Sequence, residues 1–186
     1  MTTLKASFAL LLMSVMAGAE GAQPQVGSAA PDFTLTSFRD KSVRLSDVSQ
    51  KGTVVLVVLR GFPGYQCPMC NRQVQDFVRN AKGFSDAGAR VVMVYPGPAE
   101  GLGGRASEFV ADKNLPPDFE LLLDPDYKLT NLYGLRWDAP KETAYPSTFV
   151  MDDKRMISFA KISNSHGGRT SASEVLEALH KKKASN

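Results

Sequence analysis

Two cysteines, Cys67 and Cys70, are the residues of this sequence whose type and spacing most directly predict chemistry. They enclose Pro68 and Met69, and they follow a β-branched apolar run over 53–59. Such a run is typical of a central strand, and proline is favoured in the first turn of a helix, so the pair should lie where a strand leads into a helix. The N–H groups and dipole of a helix N-terminus stabilise a thiolate, and a second thiol one turn away can close a disulfide with it. The motif therefore predicts a redox-active pair.

The residues alone also allow a structural or a metal-binding role for the pair. A structural disulfide would use the same two cysteines, and half of a zinc site would need His166 or His180 to complete its ligands. Neither histidine has ligand-like spacing, and we expect both to be exposed, one in a loop and one at a helix end. We therefore expect no metal site and no cofactor.

The elements around the motif predict an α/β domain. A strand over 53–59, a helix carrying Val74, Phe77, Val78, Ala81 and Phe84, and a strand over 90–95 form a strand–helix–strand unit, for which a parallel crossover is the natural connection. Ser171 and Glu174 form a capping-box pattern that opens a last helix. We expect further strands over 32–35, 43–45, 120–123, 148–151 and 156–162, and a helix over 106–112.

Composition excludes several classes of function. The chain has 186 residues and a formal charge of +3, without blocks of Lys or Arg in its body, so no nucleic-acid partner is expected. No apolar run reaches the ~18 residues that a transmembrane helix needs.

Residues 1–19 have the pattern of a secretory signal peptide. Lys5 precedes an apolar stretch over 8–16, and Ala17, Gly18 and Ala19 form a small-residue cleavage site. We expect cleavage to leave one domain over 20–186 in the periplasm or outside the cell, with no stable membrane insertion. In such an oxidising compartment a disulfide can form without being structural.

Taken together, these segments resemble the thioredoxin-fold superfamily, and within it the alkyl hydroperoxide reductase/thiol-specific antioxidant (peroxiredoxin-like) family. The resemblance covers nearly all of 20–186 and implies a thioredoxin-like fold, with a central mixed β-sheet flanked by helices. It rests on the order and spacing of the segments 27–35, 45–47, 51–52, 119–125, 132–134 and 145–152.

The resemblance does not decide which of the two cysteines is the attacking nucleophile. Peroxiredoxins carry a Pro, then a Thr or Ser, then the peroxidatic Cys, and in that frame Pro63 is followed by Cys67 in the hydroxyl position and Cys70 in the peroxidatic position. Thioredoxins use the first Cys of such a pair, which would be Cys67. Pro146 stands where peroxiredoxins tend to have an Arg and where thioredoxin-like reductases have a cis-Pro.

Three further residues are therefore candidates for substrate docking or activation. We expect Pro146 to be a cis-Pro facing the sulfurs, and Arg60, at the end of the central strand, to favour the thiolate. Tyr65 precedes the pair and is a candidate substrate contact, although it could equally cover the core. Arg60 or Arg72 would have to replace the missing Arg.

The resemblance implies a thiol-based oxidoreductase with an antioxidant role, reducing peroxides through a Cys67/Cys70 dithiol–disulfide cycle that an external thiol reductant completes. In the peroxidase cycle Cys70 would attack the peroxide and Cys67 would condense with the sulfenic acid. Helix-terminus electrostatics favour Cys67 as the more reactive thiol toward bulky disulfides. A disulfide reductase acting on exported proteins is the alternative, and a redox-inert binding module on the same fold is a third possibility.

Overall fold

The computed structural model describes residues 21–184, so the predicted signal peptide over 1–19 lies outside the described residues. No helix among the described residues is long and apolar enough to cross a membrane. The elements in chain order are β1 (Thr34–Ser37), β2 (Ser42–Arg44), α1 (Leu45–Ser49), β3 (Thr53–Val58), α2 (Pro68–Arg79), α3 (Ala81–Asp86), β4 (Ala89–Gly97), α4 (Leu102–Val110), β5 (Phe119–Pro125), α5 (Lys128–Leu132), β6 (Ser147–Met151), β7 (Ile157–Ile162) and α6 (Ala172–Ala184).

The strands form one mixed sheet in the order β2-β1-β5-β4-β3-β6-β7. β3, β4 and β5 are parallel neighbours, so α2 and α3 form the crossover from β3 to β4. β6 pairs antiparallel with β3, and β7 antiparallel with β6. This arrangement confirms the predicted α/β class with a central mixed sheet flanked by helices.

Side chains of the central strand alternate between two apolar layers. Val55 and Val57 pack with α2, α3, α4 and α6 on one face, whereas Val54, Leu56 and Val58 pack on the face that α1 and α5 cover. Because both faces are buried, β3 is apolar at every residue after Thr53, as the sequence predicted. Cys67 and Cys70 belong to the first of these layers.

Gly61 lies in the loop that connects β3 to the cysteines. It has a φ of 70°, and a Cβ at this position would lie 2.0 Å from the carbonyl oxygen of Pro96 in β4. Any other residue would clash there. The next residue, Phe62, donates its N–H to the same Pro96 oxygen at 2.9 Å, which anchors the loop over the sheet edge.

Some boundaries differ from the sequence predictions. The helix predicted as one piece through Phe84 is interrupted at Asn80, which has φ −99° and ψ 13° and separates α2 from α3. The helix predicted over 106–112 is α4, which already begins at Leu102 in a Gly-rich segment, because Leu102, Ala106 and Phe109 are buried at helical spacing. Ser171 does cap the last helix, since its Oγ accepts the N–H of Glu174 at 3.2 Å.

Candidate active site

The two cysteines lie at the start of α2, at the predicted strand-to-helix junction. Cys67 is the N-cap residue and Pro68 the first helical residue. The Sγ of Cys67 accepts the backbone N–H of Cys70 at 3.4 Å. N–H groups in the first turn of a helix have no acceptor within the helix, so this one is free to bind the sulfur. Both residues are free thiols; Cys67 is 3% exposed and Cys70 is 0% exposed.

The surroundings shift the pKa values of the two thiols in opposite directions. The side-chain hydrogen bond from Cys70 lowers the pKa of Cys67 to about 5 against the opposing effect of burial, helped by the Cys70 N–H and by the cations of Arg169 and Arg60. Burial raises the pKa of Cys70 well above its usual range, and the neighbouring Cys67 sulfur raises it further. The site therefore favours a thiolate on Cys67 and a protonated thiol on Cys70.

Arg169 contacts both sulfurs, and sequence reasoning missed it. Its Nη1 lies 3.4 Å from the Sγ of Cys70, and its Nη2 lies 3.8 Å from the Sγ of Cys67. The guanidinium is oriented by the carbonyl of His166, 3.0 Å from Nε, and by the Oε1 of Gln73, 3.2 Å from Nη1. Arg169 lies in the loop before α6, where the sequence carries no local signal for a contact with the cysteines.

Arg60 also faces the site, but it is held by protein partners. Only 3% of its side chain is exposed, so it is not a solvated surface residue. It donates from Nε to Glu142 Oε2 at 2.5 Å, from Nη1 to the hydroxyl of Tyr65 at 2.7 Å and from Nη2 to the carbonyl of Lys141 at 2.7 Å. Burial opposes the charge, yet hydrogen bonds to Glu142, Tyr65 and Cys67 raise the pKa of Arg60.

Glu142 joins this cluster to the loop that carries Arg169. Its Oε1 lies 2.8 Å from Nε2 of His166, while its Oε2 binds Arg60. Burial raises the pKa of Glu142, but the hydrogen bonds from Arg60 and His166 outweigh it and lower the pKa overall.

The ring of Trp137 stacks on Tyr145 with centroids 4.9 Å apart and lies 5.3 Å from the His166 ring. Tyr65 is 44% exposed, so it does not fill the core.

The expectation of a cis-Pro is wrong. No cis peptide bond occurs among the described residues, so the bond before Pro146 is trans. The trans bond is the lower-energy isomer, and with it Tyr145 donates its N–H to the carbonyl of Leu135 at 2.8 Å while the carbonyl of Pro146 accepts the N–H of Ser163 at 2.8 Å. Arg72 does not replace the missing Arg either, because it is exposed and its Nη1 lies against the sulfur of Met69 at 3.8 Å.

Comparison with known proteins identifies the family. The model of the AhpC/TSA family matches residues 26–160, which include both cysteines. The chain belongs to the AhpC/TSA family. The family match ends before Arg169, so this cation lies outside the matched segment.

Individual relatives agree with this assignment. The chain is 31% identical over 140 residues to a putative peroxiredoxin of Mycobacterium tuberculosis, covering 73% of this chain and 83% of the relative. It is 29% identical over 134 residues to peroxiredoxin Bcp of Bacillus subtilis, covering 69% and 78%. The predicted resemblance is thus confirmed, and with it a thiol-dependent oxidoreductase of the peroxiredoxin type.

Solved structures support the fold. Peroxidoxin BcpB from Mycobacterium tuberculosis superposes with a TM-score of 0.65 at 23% identity, covering 87% of this chain and 97% of that one. A peroxiredoxin-like protein from Aquifex aeolicus gives a TM-score of 0.71 at 16% identity, covering 87% and 90%. Within residues 21–181, no group of three or more His, Cys, Asp or Glu side chains is placed to hold a metal ion.

Proposed function

We propose that the protein reduces peroxides through a dithiol–disulfide cycle in which Cys67 is the attacking thiolate and Cys70 the resolving thiol. The observation that carries this order is the geometry at the start of α2: the Sγ of the N-cap residue Cys67 accepts the Cys70 N–H at 3.4 Å, whereas Cys70 is 0% exposed. The first arrangement lowers the pKa of Cys67 and the second raises the pKa of Cys70. Only the thiolate is a nucleophile, and Cys67 lines a surface cleft, whereas Cys70 is 0% exposed. The spacing from Pro63 that is typical of peroxiredoxins would favour Cys70 as the attacking sulfur, so the order proposed here is specific to this chain.

The cycle begins with oxidation of Cys67. Its thiolate attacks one peroxide oxygen, the O–O bond breaks, and Cys67 becomes a sulfenic acid while the other oxygen leaves as an alkoxide or hydroxide that takes up a proton. The guanidinium of Arg169, within 3.8 Å of the Cys67 sulfur, is placed to stabilise the negative charge that develops on the leaving oxygen. Cys70 then attacks the sulfenic sulfur, water leaves, and the Cys67–Cys70 disulfide forms.

An external thiol must complete the cycle by reducing this disulfide. Two thiols supply the two electrons, because the first forms a mixed disulfide with Cys67 and the second releases it. The same order of sulfurs would also suit a disulfide reductase. That second function is favoured by the thiolate on Cys67, but the internal pairing of the Pro146 carbonyl disfavours it, since that group is not free to dock a substrate chain.

The order of the sulfurs is tested by single substitutions. Cys70→Ser and Cys67→Ser are each treated with one equivalent of hydrogen peroxide and then with a sulfenic-acid reagent, followed by peptide mass spectrometry. We expect rapid adduct formation at Cys67 in Cys70→Ser and slow reaction of Cys67→Ser. Fast oxidation of Cys70 in Cys67→Ser would assign the peroxidatic role to Cys70 instead. Slow oxidation of both, with fast reduction of a model protein disulfide, would favour the reductase.

We also propose that the protein is exported and acts in the periplasm or outside the cell. The support is the sequence pattern over 1–19, in which Lys5 precedes an apolar stretch and a small-residue cleavage site. Mature protein from the native host should begin near Glu20. Soluble cytosolic protein that retains Met1 would contradict export.

A further inference from the structure

Arg169, which contacts both sulfurs, follows a loop whose backbone is weakly restricted. Every residue over 164–168 is exposed, and Gly167 and Gly168 directly precede the arginine, with Gly168 at a φ of 67°. Glycine restricts the backbone less than any other residue, so the loop by itself leaves the guanidinium many accessible positions. A residue that anchors this loop would therefore set how closely Arg169 approaches the sulfurs.

His166 provides such an anchor through its side chain. Its Nε2 lies 2.8 Å from the Oε1 of Glu142, whose other carboxylate oxygen binds the buried Arg60. Glu142 is ionised in its pair with Arg60, and a carboxylate only accepts hydrogen bonds, so the Nε2 of His166 carries the hydrogen. Among the described residues, this is the only hydrogen bond that connects 164–168 to a residue outside 163–169.

The same residue binds Arg169 through its backbone. The carbonyl of His166 accepts the Nε hydrogen of Arg169 at 3.0 Å, and the Oε1 of Gln73 accepts from Nη1 at 3.2 Å. A planar guanidinium that is held at Nε and at Nη1 has a fixed orientation, which directs its two terminal nitrogens at the sulfurs. One of these two holding points moves with the His166 carbonyl, so the contact between the His166 ring and Glu142 is transmitted to Arg169.

We propose that His166 is a positioning residue: by binding Glu142 it holds the loop so that Arg169 stays in contact with Cys67 and Cys70. The inference rests on the proposed function, because it names a further residue on which the reactivity of the Cys67 sulfur depends. The hydrogen bonds of His166 go to Glu142 and Arg169 and to neither sulfur, so its effect on the thiolate is indirect.

A second route from His166 to the sulfurs would run through Glu142 and Arg60. Arg60 has two further partners, the hydroxyl of Tyr65 and the carbonyl of Lys141, both at 2.7 Å, and only 3% of its side chain is exposed. These contacts do not involve the histidine, so the position of Arg60 should change little when the histidine is lost. The route through the loop is therefore the one that the geometry favours, and a second substitution distinguishes the two routes.

The test compares His166→Ala, which removes the contact with Glu142, with His166→Gln, whose side-chain amide can restore an N–H donor. The side chain of His166 is 51% exposed, so neither variant disturbs the core. Alkylation of Cys67 by iodoacetamide is measured at pH 5 and at pH 8 by peptide mapping, and the ratio of the two rates is taken for each variant. Because the pKa of Cys67 is about 5, its thiolate is complete at pH 8, and the ratio reports thiolate formation apart from access to the sulfur.

We expect His166→Ala to lower this ratio about twofold relative to the wild type, because Arg169 is one of several groups that stabilise the thiolate. His166→Gln should restore most of the ratio. In an Arg169→Gln background, His166→Ala should have no further effect, since the residue through which it acts is gone. Oxidation by hydrogen peroxide at pH 8 should be about tenfold slower in His166→Ala than in the wild type.

His180→Ala removes an exposed histidine of α6 and is the matched control, which should behave as the wild type. A wild-type ratio in His166→Ala, or no recovery in His166→Gln, would overturn the proposal. An undiminished effect of His166→Ala in the Arg169→Gln background would also overturn it and would assign the effect to the route through Arg60. Because alkylation needs no peroxide, slow peroxide oxidation of the wild type would refute the peroxidase cycle separately.

Discussion

Arg169 and Cys70 are 99 positions apart in the chain, and the Nη1 of the arginine lies 3.4 Å from the cysteine sulfur. The same guanidinium reaches Cys67 through Nη2. We propose that this guanidinium, which comes from the loop before α6, supplies the positive charge at the sulfurs that we looked for near Pro146 in the sequence.

Replacing Arg169 tests that role. Arg169→Gln should raise the pKa of Cys67 and slow its reaction with hydrogen peroxide about 100-fold, because a charge-stabilising donor at a reacting centre is lost. Arg169→Lys should recover part of the rate. The measurements are stopped-flow oxidation and thiolate absorbance against pH. Arg72→Gln, an exposed arginine on α2, should leave both unchanged. An unchanged thiolate pKa in Arg169→Gln would refute the assignment.

The pH dependence of alkylation tests the thiolate itself. Because the pKa of Cys67 is lowered to about 5, its rate with iodoacetamide should be half-maximal near that pH and nearly constant from one unit above it. Cys70→Ala should move the midpoint upward, since it removes the side-chain hydrogen bond that contributes most to the shift. Cys70→Ser keeps an O–H donor and should move it less. Peptide mapping that finds Cys70 labelled first would contradict this order.

The pair between Arg60 and Glu142 should be important for stability. Arg60 is 3% and Glu142 11% exposed, so Glu142→Gln leaves a buried guanidinium without its counter-charge. We expect the free energy of unfolding to fall by roughly 3 kcal/mol, measured by urea denaturation. Glu174→Gln breaks a half-exposed pair with Lys161 and should cost no more than about 1 kcal/mol. Equal losses in the two variants would show that burial of the first pair has no energetic effect.

The reduction potential follows from the same thiolate. Stabilising the Cys67 thiolate stabilises the dithiol form, so the disulfide should be reducible, with a potential above the roughly −300 mV of resistant structural bridges. For each unit by which Arg169→Gln raises the Cys67 pKa, the potential at neutral pH should fall by about 30 mV. Equilibration with dithiothreitol buffers measures both values. A bond that resists reduction in the folded protein would make the pair structural.

The sequence was sufficient for those parts of the site that depend on local structure. The apolar strand β3, the proline after Cys67 and the helix that follows are set by neighbouring residues, so the pair could be placed at a strand-to-helix junction. Arg169 and Glu142 could not be found, because each reaches the site through contacts with residues more than 80 positions away. The isomer of Pro146 was mispredicted because the expectation rested on the resemblance to thioredoxin-like reductases and on no local property of the sequence.

The dependence of the Cys67 thiolate on contacts that exist only in the folded protein also determines when during its maturation the protein can react. In an unfolded chain neither α2 nor the loop before α6 is in place, so both cysteines have the pKa of an ordinary thiol, about 8.5, and are mostly protonated at neutral pH. Protonated thiols are oxidised slowly, and they are slow to proceed to the irreversible sulfinic and sulfonic acids. The sulfurs thus pass through synthesis and folding in an unreactive form. The Cys67 thiolate forms once the first turn of α2 holds Cys70 against it, and Arg169 adds to its stabilisation when the loop before α6 is in place.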